Sequence, residues 1–116
     1  MNSYEPISQP VFCILLALSL RERHGYEIMQ QVQADSDGRI TMGPGTLYGS
    51  IKKMLSDGLV EETDGQTAGS PRERRYYRLT SRGRSLLSSE LARMSQTIKL
   101  AEHRNLLGDL NRAYCV

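Results

Sequence analysis

A mainly α-helical chain with one small β-hairpin is the fold class this sequence predicts, and three observations carry the prediction. Apolar residues recur at the helical period in four stretches, the period changes to roughly two after Gly58, and Gly, Pro and hydroxyl residues punctuate the joints. At 116 residues the chain is expected to fold as one unit around one core, without a second activity.

The first helix is expected from Pro10 to Leu20, with Phe12, Ile14, Leu15, Leu16, Leu18 and Leu20 spread over more than one face. A helix apolar on two sides in so small a chain calls for a covering partner as well as its own core, and a second subunit is the economical choice. Arg21 to His24 closes it, and Gly25 opens a second helix from Tyr26 to about Gln33, with Tyr26, Ile28, Met29 and Val32 as its apolar positions. The loop from Asp35 to Arg39 follows, and Ile40 and Thr41 are expected to pair as a very short strand.

The run from Gly43 to Val60 organises the rest. Pro44 suits a first helical position and Gly58 a left-handed helix stop. Leu47, Ile51, Met54 and Leu55 form one apolar stripe. Gly45, Thr46, Gly49, Lys52, Lys53 and Ser56 point away from it, giving an exposed face that is small, hydroxylated and cationic. Such a face suits a major groove about 12 Å wide, with donors for base edges and phosphates. Thr46, Tyr48, Gly49, Ser50, Lys52 and Lys53 are therefore the expected groove-helix contacts. An ordinary amphipathic surface helix is the competing reading.

Leu59 to Thr63 and Arg72 to Thr80 are expected to pair as antiparallel strands around the Gly, Ser and Pro loop from Asp64 to Pro71. Arg72, Arg74 and Arg75 on the returning strand, with Tyr26 on the second helix, are the expected phosphate contacts. Simple protection of a sheet edge is the alternative for the arginines. Ser81 to about Leu107 forms the longest helix, with Thr80 as N-cap. Leu87, Leu91, Met94, Ile98 and Ala101 follow a four and three spacing that reads as a dimerisation seam, joined by Phe12 and Leu16 of the first helix. Residues 1–80 are thus expected to be a winged helix-turn-helix, 81–107 a long C-terminal dimerisation helix, and 108–116 a flexible tail.

The formal charge is only +2, yet nine of the fifteen basic residues lie between Arg39 and Arg84. The longest apolar run, Val11 to Leu20, is too short to span a bilayer and no basic leader precedes it, so a cytoplasmic protein without a membrane partner is expected. Cys13 and Cys115 are too few for a disulfide framework or a four-ligand metal site. Cys13 is expected to be a small buried hydrophobe. No phosphate loop or paired metal-ligand motif is present, and the chain has only two histidines, His24 and His103, for acid–base work. Neither an enzyme, a metal nor a cofactor is expected.

Three runs resemble PadR-type transcriptional regulators: His24-Gly25-Tyr26-Glu27-Ile28, Gly45-Thr46-Leu47-Tyr48 followed by Gly58-Leu59-Val60, and Arg75-Tyr76-Tyr77-Arg78-Leu79-Thr80-Ser81-Arg82-Gly83. They occur in the family's order and together cover about Val11 to Ala101. The resemblance implies a homodimeric repressor often released from its operator by a small-molecule effector, and because a dimer presents two groove helices, the operator in double-stranded DNA is expected to be an inverted repeat. It also implies packing of the last helix on the partner's first helix. Gly43 departs from the hydroxyl cap common in relatives, Gly49 from a frequent Pro, and the chain has no Trp for an aromatic drug-stacking site. A winged-helix module used only for protein contacts is the alternative function.

Overall fold

The computed structural model describes residues 6–64 and 75–108. Four helices and three strands follow in the order α1 (Gln9–Leu18), β1 (Arg23–His24), α2 (Gly25–Asp35), α3 (Pro44–Ser56), β2 (Val60–Thr63), β3 (Tyr76–Leu79) and α4 (Ser81–His103). The strands make one antiparallel sheet in the order β1-β3-β2. The core lies between the sheet and α1, which packs against α2, α3, α4 and β3 and buries Ile14, Leu15, Ala17 and Leu18 completely or nearly so. Ile28, Val32, Leu47, Ile51 and Met54 close over it from α2 and α3.

The helix starts are locally encoded. Ser8 caps α1 through a hydrogen bond from the Val11 N–H. His24 caps α2 reciprocally: its Nδ1 accepts from the Glu27 N–H at 3.3 Å, while Glu27 Oε1 accepts from the His24 N–H at 3.1 Å. Burial pushes the Glu27 carboxyl up, but the hydrogen bonds from His24 and Arg21, with their charges, outweigh it and hold the group below its ordinary value. Pro44 occupies the first turn of α3, as expected, and Gly58 ends it at φ 74°. Thr80 caps α4 by accepting from the Gly83 N–H at 3.0 Å.

Three expectations are corrected. Ile40 and Thr41 form no strand. The Ile40 N–H donates instead to Ser36 Oγ at 2.9 Å, hooking the loop to the end of α2. The third strand is Arg23–His24, paired with Tyr77 and Tyr76, where the sequence reading placed only a helix ending. Arg23 is buried there because its Nε donates to the Ala17 carbonyl at 2.9 Å and satisfies the open end of α1. Finally, α1 stops at Leu18, capped by Ser19, and leaves Leu20 exposed, while α4 ends at His103 rather than Leu107.

Candidate nucleic-acid interface

The exposed face of α3 is built by what lies beneath it. Leu47, Ile51 and Met54 are almost fully buried, so the helix cannot roll, and Thr46, Gly49, Lys52 and Lys53 are held outward. Ser50 is half-buried at the edge, and Tyr48 is 48% exposed. No acidic residue lies between Pro44 and Ser56. Lys53 makes an exposed ion pair with Asp57 at 3.3 Å, one turn on.

Two kinds of glycine meet here. A Cβ at Gly25 would clash with Tyr48 Oη and lie 2.8 Å from Tyr48 Cζ, so the Tyr48 ring rests directly on the start of α2 and a side chain there would have to displace it. At Gly43, Gly45 and Gly49 a Cβ would meet nothing within 4 Å, and none of the three has a positive φ. Neither backbone conformation nor packing inside the chain therefore requires glycine at these three positions. Gly43 leaves α3 with no side-chain cap, unlike α1, α2 and α4.

Tyr26, in the first turn of α2, is 62% exposed close to the Gly25–Tyr48 crossing. Tyr77 is buried in β3; burial first, then the Glu62 carboxylate and Tyr48, push its phenol above the ordinary value. The hairpin behaves differently from the expectation of a free cationic surface. Register sets Glu61 opposite Arg78, and Arg78 Nε donates to Glu61 Oε2 at 2.6 Å. Arg75 pairs with Glu62 at 3.5 Å. Arg72 and Arg74, the other expected wing contacts, lie outside the described residues, as does Cys115.

Along α4 the expected seam divides. Leu87 is buried in the chain's own core, packed with the residues of α1 and β3, and is not on an open face. Leu91, Met94 and Ile98 are exposed, with Ala101 half-buried. Phe12 and Leu16 of α1 are half-buried and line a groove of about 470 Å3 together with Cys13, Val32, Ile40 and Met94. Glu90 is buried at its wall and ion-paired with Arg93, whose Nε also donates to Glu90 Oε1 at 3.4 Å. Burial, then the Asp35 carboxylate, raise the Cys13 thiol above its ordinary value, so both causes oppose the thiolate.

Among the described residues no group of three or more His, Cys, Asp or Glu side chains is placed to hold a metal ion, and no helix is long and apolar enough to cross a membrane. The sequence reading missed the buried Glu90 and the pairing of the hairpin arginines. Glu90 four residues before Met94 and three after Leu87 was the available signal that a carboxylate sits at the core-facing edge of α4.

A three-helix body, a three-stranded sheet with a returning hairpin and a helix whose polar face stands free define a winged helix-turn-helix protein. Known proteins give the narrower answer. A model of the transcriptional regulator PadR-like family matches residues 14–89. An uncharacterised protein of Lysinibacillus sphaericus is 31% identical over 91 residues, which is 75% of this chain and 83% of that protein. The chain belongs to the PadR-like family of transcriptional regulators. Its fold is similar to the crystal structure of a PadR family transcription regulator from Clostridium difficile, with a TM-score of 0.67 and 24% identity over 83% of this chain and 97% of that one. It is also similar to Bacillus subtilis PadR, solved in complex with operator DNA, with a TM-score of 0.60 and 23% identity over 70% of this chain and 45% of that one.

Proposed function

We propose that this regulator is a homodimeric, sequence-specific repressor that reads an inverted repeat in double-stranded DNA and is relieved by a small-molecule effector. The observation that carries the DNA reading is the outer face of α3: cationic and hydroxylated, free of carboxylates from Pro44 to Ser56, and carrying glycines that nothing inside the chain requires. Glycine in a helix interior costs about 1 kcal/mol relative to alanine, so a close-approaching external surface is the economical reason to keep it. The operator complex of the Bacillus subtilis neighbour supports the same reading. Residues 1–80 serve as the DNA-binding unit, 81–107 as the dimerisation helix and 108–116 as a tail.

The exposed row Leu91, Met94 and Ile98 beside half-buried Phe12 and Leu16 suits burial against a second copy. The groove along α1 adjoins that row, and its volume of about 470 Å3 suits a small-molecule effector. Thr46, Tyr48, Gly49, Ser50, Lys52 and Lys53 are the groove contacts, and Tyr26, Arg72, Arg74 and Arg75 the phosphate contacts.

Selection of bound sequences from a random duplex pool tests the reading. Enrichment of an inverted repeat with half-sites about 34 to 36 Å apart is expected. Binding that heparin competes away without sequence preference would leave only a module for acidic protein partners. Leu91→Asp is expected to dissociate the dimer, because an unpaired charge would be buried in the seam. A variant that light scattering still finds dimeric at low micromolar concentration removes Leu91 from the interface.

A further inference from the structure

We infer that Thr80 and Gly83 form a fixed joint between the groove helix and the long helix, and that this joint sets the spacing between operator half-sites; the inference rests on the dimeric operator-binding reading above. Thr80 does more than cap α4. Its hydroxyl accepts from the Gly83 N–H at 3.0 Å and donates to the Gly58 carbonyl at 2.6 Å, at the residue that ends α3. The Thr80 N–H donates to the Leu59 carbonyl at 3.1 Å, while the Leu59 N–H donates back to the Met54 carbonyl inside α3 at 2.9 Å. The peptide groups of Gly58 and Leu59 are thus bonded to α3 on one side and to the start of α4 on the other.

Gly83 closes the joint sterically. A Cβ there would lie 3.0 Å from the Leu59 carbonyl carbon and closer still to its oxygen. Its φ is not positive, so close approach and not backbone conformation demands glycine. Leu59 and Leu87 are both buried in the core, which anchors the first turns of α4 to it.

The geometry makes this joint a lever. With 23 residues α4 is about 34 Å long. A tilt of about 10° at its first turn moves its far end by about 6 Å, nearly two base-pair steps along the duplex. In a dimer held together through α4, a loose joint lets the two α3 helices accept several spacings, and a rigid one selects a single spacing. Thr80 and Gly83 are therefore positioning residues, remote from the base edges.

Thr80→Asp separates this role from helix capping. Aspartate caps a helix start as well as threonine and suits its dipole, but it has no donor for Gly58 and sets a carboxylate against that carbonyl. Wild-type protein and variant are titrated on operators whose spacer is lengthened or shortened by single base pairs. Wild type is expected to lose about tenfold affinity per misplaced base pair, the size of a typical mismatch in a binding site, whereas Thr80→Asp flattens the profile and Thr80→Ser retains it. A folded Thr80→Asp protein with the wild-type profile overturns the inference.

A second measurement needs neither a folded joint variant nor DNA. Spin labels at Ser56 on α3 and Ser95 on α4, in chains with an unaltered joint diluted into an excess of unlabelled protein so that each dimer holds one labelled chain, are expected to give one narrow distance, and a broad or split distribution overturns the joint. Should wild type prefer no inverted repeat over scrambled duplex while that distance stays narrow, the operator reading fails and the rigid joint stands.

Discussion

The helix α3 and the root of the hairpin both carry basic residues of this stretch of the chain, yet they present their charge differently. On α3, Lys52 has no ion pair among the described residues, and Lys53 pairs with an acid that lies past the helix end, Asp57. On the hairpin, Arg75 and Arg78 face Glu62 and Glu61 across the strands and are ion-paired with them. Counting cations in a sequence therefore overstates the field that a partner meets. What matters is whether the local period puts an acid on the same face, and a helix without acids presents a net charge that a two-stranded ribbon with alternating signs does not.

The comparison breaks or sharpens by substitution, and the largest effects belong on α3. Thr46→Ala or Lys53→Ala is expected to weaken operator binding by about 1 to 3 kcal/mol while changing binding to scrambled duplex far less. Equal losses on both duplexes would reduce α3 to a phosphate-positioning element. Gly49→Ala comes next, with opposite signs in two measurements: thermal unfolding should improve by about 1 kcal/mol, since the site has room for a methyl group, and operator affinity should fall. An unchanged affinity would remove Gly49 from the DNA-facing surface.

Smaller effects belong to the hairpin. Arg74→Ala is expected to weaken all duplexes alike and to lower the salt slope by about one for each phosphate no longer neutralised. Arg78→Ala should be the mildest, about 0.2 to 1 kcal/mol of stability with the salt slope unchanged, because Arg78 is half-exposed and engaged with Glu61. Its complement is Glu61→Ala, which frees Arg78 and should steepen the salt dependence. An unchanged slope in Glu61→Ala would mean that the root of the hairpin stays off the duplex.

The elements that the residues announced are those with local grammar. Pro44, Gly58 and Thr80 mark the bounds of α3 and the start of α4 correctly because a helix start or stop is decided within a few residues. The strand at Arg23–His24 was not legible, since two polar residues become a strand only through pairing with Tyr76 and Tyr77, far along the chain. Ile40 and Thr41 look like a strand by composition, but Ser36 takes the Ile40 N–H first. The four and three spacing from Leu87 to Ala101 was readable as a stripe; where it leaves the chain's own core was not. That boundary falls after Glu90, because α1 and β3 cover only the first turns of α4. Likewise the signs of the hairpin residues were visible, while the register that pairs Glu61 with Arg78 was not.

The outer half of α4 has a consequence for how much working regulator a cell contains. Leu91, Met94 and Ile98 stand open on a single chain, so under the dimer reading their burial is a bimolecular event and follows mass action. Each tenfold dilution withdraws about 1.4 kcal/mol from the assembled state. The unfolding temperature should then rise with protein concentration. Repression would become a function of expression level before any effector arrives, with few copies leaving the operator to isolated chains that can grip only one half-site.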